Sequence, residues 1–232
     1  MKGRLIALFS LSLWLGAMPA ASQERVPAPE QVLERVKKAY AGHCCFKAAF
    51  DQVTVNVAMD LKDRFRGAMY VKKPGSISLD VDWPEKQKVV LRGRAYAVYF
   101  PADGSAVRGE VPPDLNVEHF FGFFSNIEQV DRQFIASYPP RPQNDNETLT
   151  ILELTDRKDK KSSFRIVIGI DRSDYTIRRA IIYDALGNYN RFDLSGIQFM
   201  SSIPDKEFEI SYGSQDAVMP PLGPMLQPRD PK

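Results

Sequence analysis

The sequence predicts a mainly β fold, in which about nine to eleven short strands form an antiparallel, meandering sheet accompanied by two helical segments. Apolar side chains alternate with a period of two along most of the chain, and short turns containing Pro, Gly or Asp separate the alternating runs. The composition is 44% hydrophobic and 26% charged over 232 residues, which is typical of a globular domain. Short turns join antiparallel neighbours, and a sheet of this size must curl or split to bury its apolar face.

The N-terminus has the pattern of a secretory signal peptide. Lys2 and Arg4 are followed by an uncharged stretch over residues 5–18 and by small residues before Gln23. We expect residues 1–22 to be removed by cleavage near Ser22/Gln23, which leaves equal numbers of basic and acidic side chains. Without a basic excess, a nucleic-acid partner is not expected.

The first element of the mature chain is predicted to be a helix over residues 29–41. Pro29 suits the first turn of a helix, and Gly42 is placed to end it. Apolar residues recur at helical spacing between these two positions: Val32, Leu33, Val36, Ala39 and Tyr40.

Strands follow the helix. Residues 46–50 alternate in one phase and residues 53–61 in the opposite phase, so we expect a bulge or bend at Asp51 and Gln52. Further strands are predicted over residues 65–71, 77–83, 89–91, 96–100, 149–154, 164–170, 176–184, 189–199 and 208–212.

Three other segments interrupt the strand pattern. Residues 114–125 are predicted to form a short, Phe-rich helix with Asp114 as its N-cap. Residues 139–147 form a polar loop, and the Pro-rich tail over residues 213–232 is expected to be disordered. The predicted organisation is therefore a signal peptide (1–22), one domain (23–212) and a tail (213–232).

No enzyme is expected, because the chain has no Gly-rich phosphate loop, nucleophile-elbow serine or helical His pair. No metal site or cofactor is expected either, since the sequence has only two histidines. Cys44 and Cys45 are adjacent, which allows a vicinal disulfide or, with His43, a metal site. We favour the alternative that they are two small buried residues or thiols that pair between chains, because adjacent cysteines close a strained ring.

Two sets of apolar side chains are the candidates for a binding site. One face of the sheet carries Met69, Ile77, Leu79, Val81, Tyr96 and Val98. The two predicted helices carry Val32, Leu33, Val36, Phe120, Phe121 and Phe124. Periodicity alone favours a packed core, but the same pattern fits an apolar cavity in the sheet with the helices as a lid.

Four segments resemble the LolA family of periplasmic outer-membrane lipoprotein carriers. Residues 67–75 resemble the family's hairpin with two basic residues before Pro, and residues 83–101 resemble its aromatic strand that ends in Tyr-x-Pro. Residues 184–188 resemble its Asp-x-x-Gly-Asn hairpin, and residues 46–52 its opening strand. The order and spacing of the segments agree over residues 29–212.

The resemblance implies an unclosed antiparallel β-barrel of about eleven strands, with helices covering an apolar cavity for acyl chains. It also implies a periplasmic protein, expected to be a monomer, that receives outer-membrane lipoproteins from an inner-membrane lipoprotein-releasing transporter and delivers them to an outer-membrane receptor. Lys73 falls on the position where the family usually has an Arg that holds the lid shut by hydrogen bonds to backbone. The alternative function on the same fold is an envelope sensing or regulatory module that binds lipid or a protein partner.

Overall fold

The computed structural model describes residues 26–110, 123–124, 126–140, 148–158, 164–210 and 216–218. Residues 216–218 are described as backbone only. Eleven strands form one antiparallel sheet: β1 (Cys45–Asn56), β2 (Leu61–Lys72), β3 (Ser76–Trp83), β4 (Gln87–Arg92), β5 (Ala95–Phe100), β6 (Ser105–Glu110), β7 (Phe134–Ser137), β8 (Leu149–Asp156), β9 (Arg165–Asp171), β10 (Ile177–Tyr183) and β11 (Tyr189–Met200). A short strand β12 (Asp216–Val218) pairs in parallel with β6.

The order of the strands shows that the sheet is not closed. Starting from β12, they run β6, β5, β4, β3, β2, β1, β11, β10, β9, β8 and β7. The terminal antiparallel strands β6 and β7 are not neighbours, so the predicted unclosed antiparallel barrel of about eleven strands is confirmed. Strands β1 and β11, of 12 residues each, meet at the centre of the sheet.

Helical structure is limited among the described residues. Helix α1 (Pro29–Tyr40) matches its prediction, with Pro29 in the first turn and Gly42 beyond the end at a φ of 76°. A 3-10 turn (Ile127–Gln129) leads into the four-residue α2 (Val130–Gln133). Residues 123–124 are helical, whereas most of the helix predicted over residues 114–125 lies outside the described part of the chain.

The bulge predicted at Asp51 and Gln52 is wrong. Strand β1 keeps one phase along its length, because Gln52 and Thr54 continue the buried face begun by Phe46 and Phe50. The side chains of Gln52 and Thr54 bond to each other and to Asn190, which allows them to be buried. The register shift lies earlier, between Lys47 and Ala49, and the apolar residues 57–61 form an exposed turn and the start of β2.

The last predicted strand, over residues 208–212, is also wrong in its described part. Residues 205–208 form a 3-10 turn, and residues 201–210 cross the outer face of the sheet, where Ile203 and Phe208 pack against Val90 and Tyr70. Strands β6 and β7 escaped prediction because they are short and alternate weakly. Residues 216–218 form β12 within the segment expected to be disordered; nothing is described for the rest of that tail, nor for residues 1–22.

Candidate functional site

The six sheet residues predicted to line a cavity lie together on the inner face, which is the face covered by α1. Met69 is on β2, Ile77, Leu79 and Val81 are on β3, and Tyr96 and Val98 are on β5. All six are at most 8% exposed and belong to one apolar cluster that includes α1. Their alternation with outward-facing neighbours follows from the period of two in a strand.

Helix α1 covers this face with its own apolar side. Val32, Leu33, Val36 and Tyr40 recur at helical spacing and are buried in the cluster. Phe123 and Phe124 extend the cover, while Phe120 and Phe121 lie outside the described residues. Among the described residues, the side chains of the inner face and of its cover are therefore buried together in one apolar cluster.

Lys73 connects the end of α1 to the sheet. Its ammonium group donates a hydrogen bond to the carbonyl oxygen of Tyr40, the last residue of α1, at 2.8 Å. It also pairs with the carboxylate of Glu128 in the 3-10 turn. The residue that the resemblance assigns to lid control therefore bonds to the backbone of the covering helix, through one point charge rather than the planar fork of an Arg.

A second connection joins the side chain of Tyr40 to the backbone of β10. The backbone N–H of Ile177 donates to the Tyr40 hydroxyl oxygen at 3.1 Å, in a fully buried position. The register between β9 and β10 shifts after Ile177, so this N–H lies beside an irregular point of the ladder. Burial raises the pKa of the Tyr40 hydroxyl. The sequence offered no signal for this contact, which spans 137 positions.

Polar side chains on the exposed side of α1 bond to side chains of neighbouring segments. Lys37 donates to the carboxylate of Asp131 in α2 at 2.9 Å, and this hydrogen bond holds the pKa of Asp131 below its ordinary value. Arg35 donates to the hydroxyl of Tyr175 and lies over its ring. Exposed pairs of this kind each contribute little to stability, so the apolar face dominates the attachment of the helix.

A buried polar group interrupts the apolar inner face near the far end of β1. The Gln52 amide donates to the hydroxyl of Thr54 at 3.1 Å and to the side-chain oxygen of Asn190 at 3.2 Å. The Thr54 hydroxyl also donates to Asn190. Among the residues that the structure describes, the side-chain oxygen of Gln52 has no hydrogen-bond partner. The inner face is therefore apolar near the end of α1 and polar near the opposite end of β1.

A cleft of about 370 Å³ lies between α2 and the end of β8. Its lining is mainly polar, including Asn126, Gln129, Arg132 and Lys158. Phe123, Val130 and Phe134, which also line it, belong to the apolar cluster, so the cleft borders the inner face.

Cys44 and Cys45 form a disulfide with each other, so our favoured interpretation that they are two unlinked residues, or pair between chains, is wrong. The sulfur of Cys44 lies 3.0 Å from the carbonyl oxygen of Ser201, and the backbone N–H of Lys73 donates to the Cys44 carbonyl at 2.9 Å. These contacts place the disulfide beside Lys73 and Ser201, a few residues after the end of α1. In the described part of the chain, no three His, Cys, Asp or Glu side chains gather as metal ligands would.

None of the described helices has the length and apolar character needed to cross a bilayer.

These features define the class of an unclosed β-barrel with a helical cover over an apolar face. The family model described as outer membrane lipoprotein carrier protein LolA matches residues 43–211, and the chain belongs to this family. The match begins just after α1 and extends across all eleven antiparallel strands. No curated protein matches the chain significantly.

The similarity of the chain to solved structures is distant. A LolA superfamily protein from Nitrosomonas europaea is 16% identical, with 80% of this chain and 99% of that chain covered and a TM-score of 0.41. A putative outer membrane lipoprotein-sorting protein domain from Vibrio parahaemolyticus is 14% identical, with 77% and 94% covered and a TM-score of 0.43. MucB in the Pseudomonas aeruginosa MucA/MucB complex is 12% identical, with 79% and 61% covered and a TM-score of 0.42.

Proposed function

We propose that this protein is a periplasmic carrier that binds the acyl chains of lipoproteins between the inner face of the sheet and α1, and shuttles them from the inner to the outer membrane. The observation that carries the proposal is the apolar inner face, covered by one amphipathic helix whose last backbone carbonyl is bonded by Lys73. Membership of the LolA family supports a carrier of this kind.

The free-energy cost of displacing α1 is similar in size to the gain from burying one acyl chain. Burying one large apolar side chain of α1 stabilises the closed form by about 1.5–3 kcal/mol, so uncovering Val32, Leu33, Val36 and Tyr40 costs about 6–12 kcal/mol. Acyl burial contributes ~0.8 kcal/mol per methylene, so roughly a dozen methylene groups would offset that cost. One acyl chain can therefore replace the helix, and the exchange remains reversible.

The remaining parts of the proposal concern the route. Residues 1–22 would direct export and be cleaved near Ser22/Gln23. An inner-membrane lipoprotein-releasing transporter would supply the cargo, and an outer-membrane receptor would accept it. The flexible side chain of Met69 on the inner face suits a site that must accept different chains and release them.

The proposal is tested by placing a charge on the inner face. Val81→Glu puts a carboxylate among buried apolar side chains, and we expect it to abolish uptake of a triacylated lipoprotein released from inner-membrane vesicles. Val26→Glu is the matched control, because Val26 is 74% exposed and lies before α1. Native mass spectrometry of the periplasmic protein, with and without the releasing transporter, measures the bound lipoprotein.

A second measurement covers the case in which Val81→Glu does not fold. A lipoprotein carrying a diazirine in its acyl chain is photolysed on the wild-type protein, and labelled peptides should contain residues of β2, β3 and β5 that face inward. Labelling confined to the outer face, or uptake by a folded Val81→Glu variant, would contradict the proposal.

The second candidate is an envelope sensing or regulatory module that binds a protein partner. The observation in its favour is the parallel pairing of β12 with β6, since a strand edge that accepts one added segment can accept another. Purified protein that carries no lipid, yet captures an extended peptide at β6, would favour this candidate over the carrier.

A further inference from the structure

Two hairpins end side by side and expose a group of large apolar side chains. The turn between β1 and β2 carries Val57 and Met59, with Leu61 at the start of β2, and the turn between β10 and β11 carries Leu186. Their exposed fractions are 57%, 60%, 52% and 78%. The two turns are joined, because the Val57 N–H donates to the side-chain oxygen of Asn188 at 2.9 Å. We call these four residues the hairpin-tip patch.

Several backbone N–H groups of both turns have hydrogen-bond partners within the turns. One carboxylate oxygen of Asp184 accepts from the N–H groups of Leu186 and Asn188, both at 2.9 Å. The side-chain oxygen of Asn56 accepts from the Met59 N–H at 3.1 Å. These donors do not depend on water, which lowers the free-energy cost of moving the tips into a lipid phase.

Groups typical of a membrane interface lie directly behind the patch. The rings of Tyr183 and Tyr189 stand 5.5 Å apart at the base of the second hairpin, and Tyr is enriched at the level of lipid head groups. The guanidinium of Arg165 lies 4.2 Å from the centre of the Tyr183 ring and is paired with the carboxylate of Glu153 at 3.2 Å. Lys62, which is exposed next to Leu61, supplies a cation at the level of the lipid head groups.

Acidic side chains also flank the patch, so apolar insertion supplies the main attraction. Asp60 and Asp63 lie beside Lys62 in sequence, and the carboxylate of Asp184 is turned into its own hairpin. The exposed apolar area is on the order of 300 Å², which is well below the ~800 Å² per partner of a stable protein interface. A small apolar patch whose turns bond several of their own N–H groups suits a lipid surface better than a second copy of the chain.

We propose that the hairpin-tip patch docks the protein on the surface of a phospholipid bilayer. The proposal goes beyond the carrier function and does not depend on it. Strand β1 separates the patch from the Lys73 connection by its 12 residues, or about 35 Å at the rise of a strand. Docking at the tips therefore leaves the end of α1 free.

The test uses flotation of the mature chain (23–232) with vesicles of phosphatidylethanolamine and phosphatidylglycerol at a ratio of about 3:1. Met59→Gln together with Leu186→Asn should lower the vesicle partition coefficient by about tenfold or more, since each removes an inserting apolar side chain. Val26→Asn, an equally exposed site elsewhere, should bind like the wild type. All three side chains are exposed, so the fold should persist.

A second measurement reports the geometry directly. In a Trp83→Phe background, because Trp83 is 48% exposed, the tryptophan fluorescence of Leu186→Trp should shift to the blue on adding these vesicles and be quenched by brominated lipid, whereas that of Val26→Trp should do neither. Absence of vesicle binding by the wild type, or equal binding by the double variant, would overturn the proposal. So would a concentration-dependent dimer that the double variant abolishes, because the patch would then be covered by a second copy.

Discussion

At the scale of single residues, Tyr40 is the side chain that joins the covering helix to the sheet from within the core. Its ring packs edge-on against Phe46 and Phe199, at centroid distances of 5.6 and 5.3 Å. Its hydroxyl is the partner of the buried Ile177 N–H. One residue therefore provides apolar burial for α1 and satisfies a backbone group of β10.

Tyr40→Phe keeps the ring and removes the acceptor of the Ile177 N–H. A buried donor without a partner costs about 1–3 kcal/mol, so we expect the free energy of unfolding to fall by that amount. Urea denaturation measures the change. Tyr138→Phe is the control, because its hydroxyl donates to the Pro27 carbonyl in an exposed position, and we expect a loss below about 0.5 kcal/mol.

The difference in stability between the wild type and Tyr40→Phe should also depend on pH. Burial raises the pKa of Tyr40 above that of an unfolded tyrosine, which ionises near pH 10. The stability linked to this shift is complete below pH 10 and is lost as the pH rises beyond it. The stability difference between wild type and Tyr40→Phe should therefore shrink above pH 10; a constant difference would indicate that Tyr40 is not buried in solution.

At the scale of elements, α1 is held by an apolar face and by a few polar connections that can be broken singly. Lys73 makes the connection at its C-terminal end, where α1 leads into Gly42 and the Cys44–Cys45 pair. Lys72, the preceding residue, points to the opposite side of the sheet and pairs with Asp205. The two adjacent lysines therefore form a natural comparison.

Lys73→Met should increase the population in which α1 is displaced by about fivefold. A charged hydrogen bond contributes about 1.5–3 kcal/mol when buried, and partial exposure of this side chain lowers the net value to about 1 kcal/mol. Amide hydrogen exchange of α1 measures the opening. Lys72→Met breaks an ion pair on the outer face and should leave exchange in α1 unchanged; equal effects of the two variants would contradict a specific role for Lys73.

At the scale of the whole molecule, the antiparallel sheet ends in two edge strands, β7 and β6, which differ in length and in whether another strand pairs with them. Strand β7 at one edge is only four residues long. Strand β6 at the other edge is covered by β12 through a parallel pairing of Asp216–Val218 with residues 106–108. Unpaired edges invite pairing with other chains, so a short edge strand and a covered one both limit association.

Truncation after Ile210 removes β12 and should expose the β6 edge. We expect self-association to rise, seen as a smaller monomer fraction in light scattering coupled to size exclusion, while the stability of the monomer changes by less than about 1 kcal/mol. Truncation after Val218 keeps β12 and should remain monomeric. If both truncated chains behave alike, β12 does not protect the edge.

Much of the fold could be predicted from the spacing of apolar residues over short stretches of the sequence. The helical spacing from Val32 to Tyr40 predicted α1, and alternation predicted most strands, because both periods are set by backbone geometry over neighbouring residues. Prediction failed where apolar residues did not mark burial. Residues 53–61 alternate convincingly, yet Val57, Met59 and Leu61 are exposed, while the polar residues Gln52 and Thr54 are buried in β1 on either side of Val53.

The sequence by itself determined which residues can share a face of the sheet, and where the helix that covers it begins and ends. Only the tertiary structure decided that Lys73 meets the Tyr40 carbonyl, that Tyr40 accepts from Ile177, and that Val57 joins Asn188. These contacts link positions far apart in the chain. Their geometry depends on the curvature and register of the whole sheet, which the spacing of neighbouring residues does not encode.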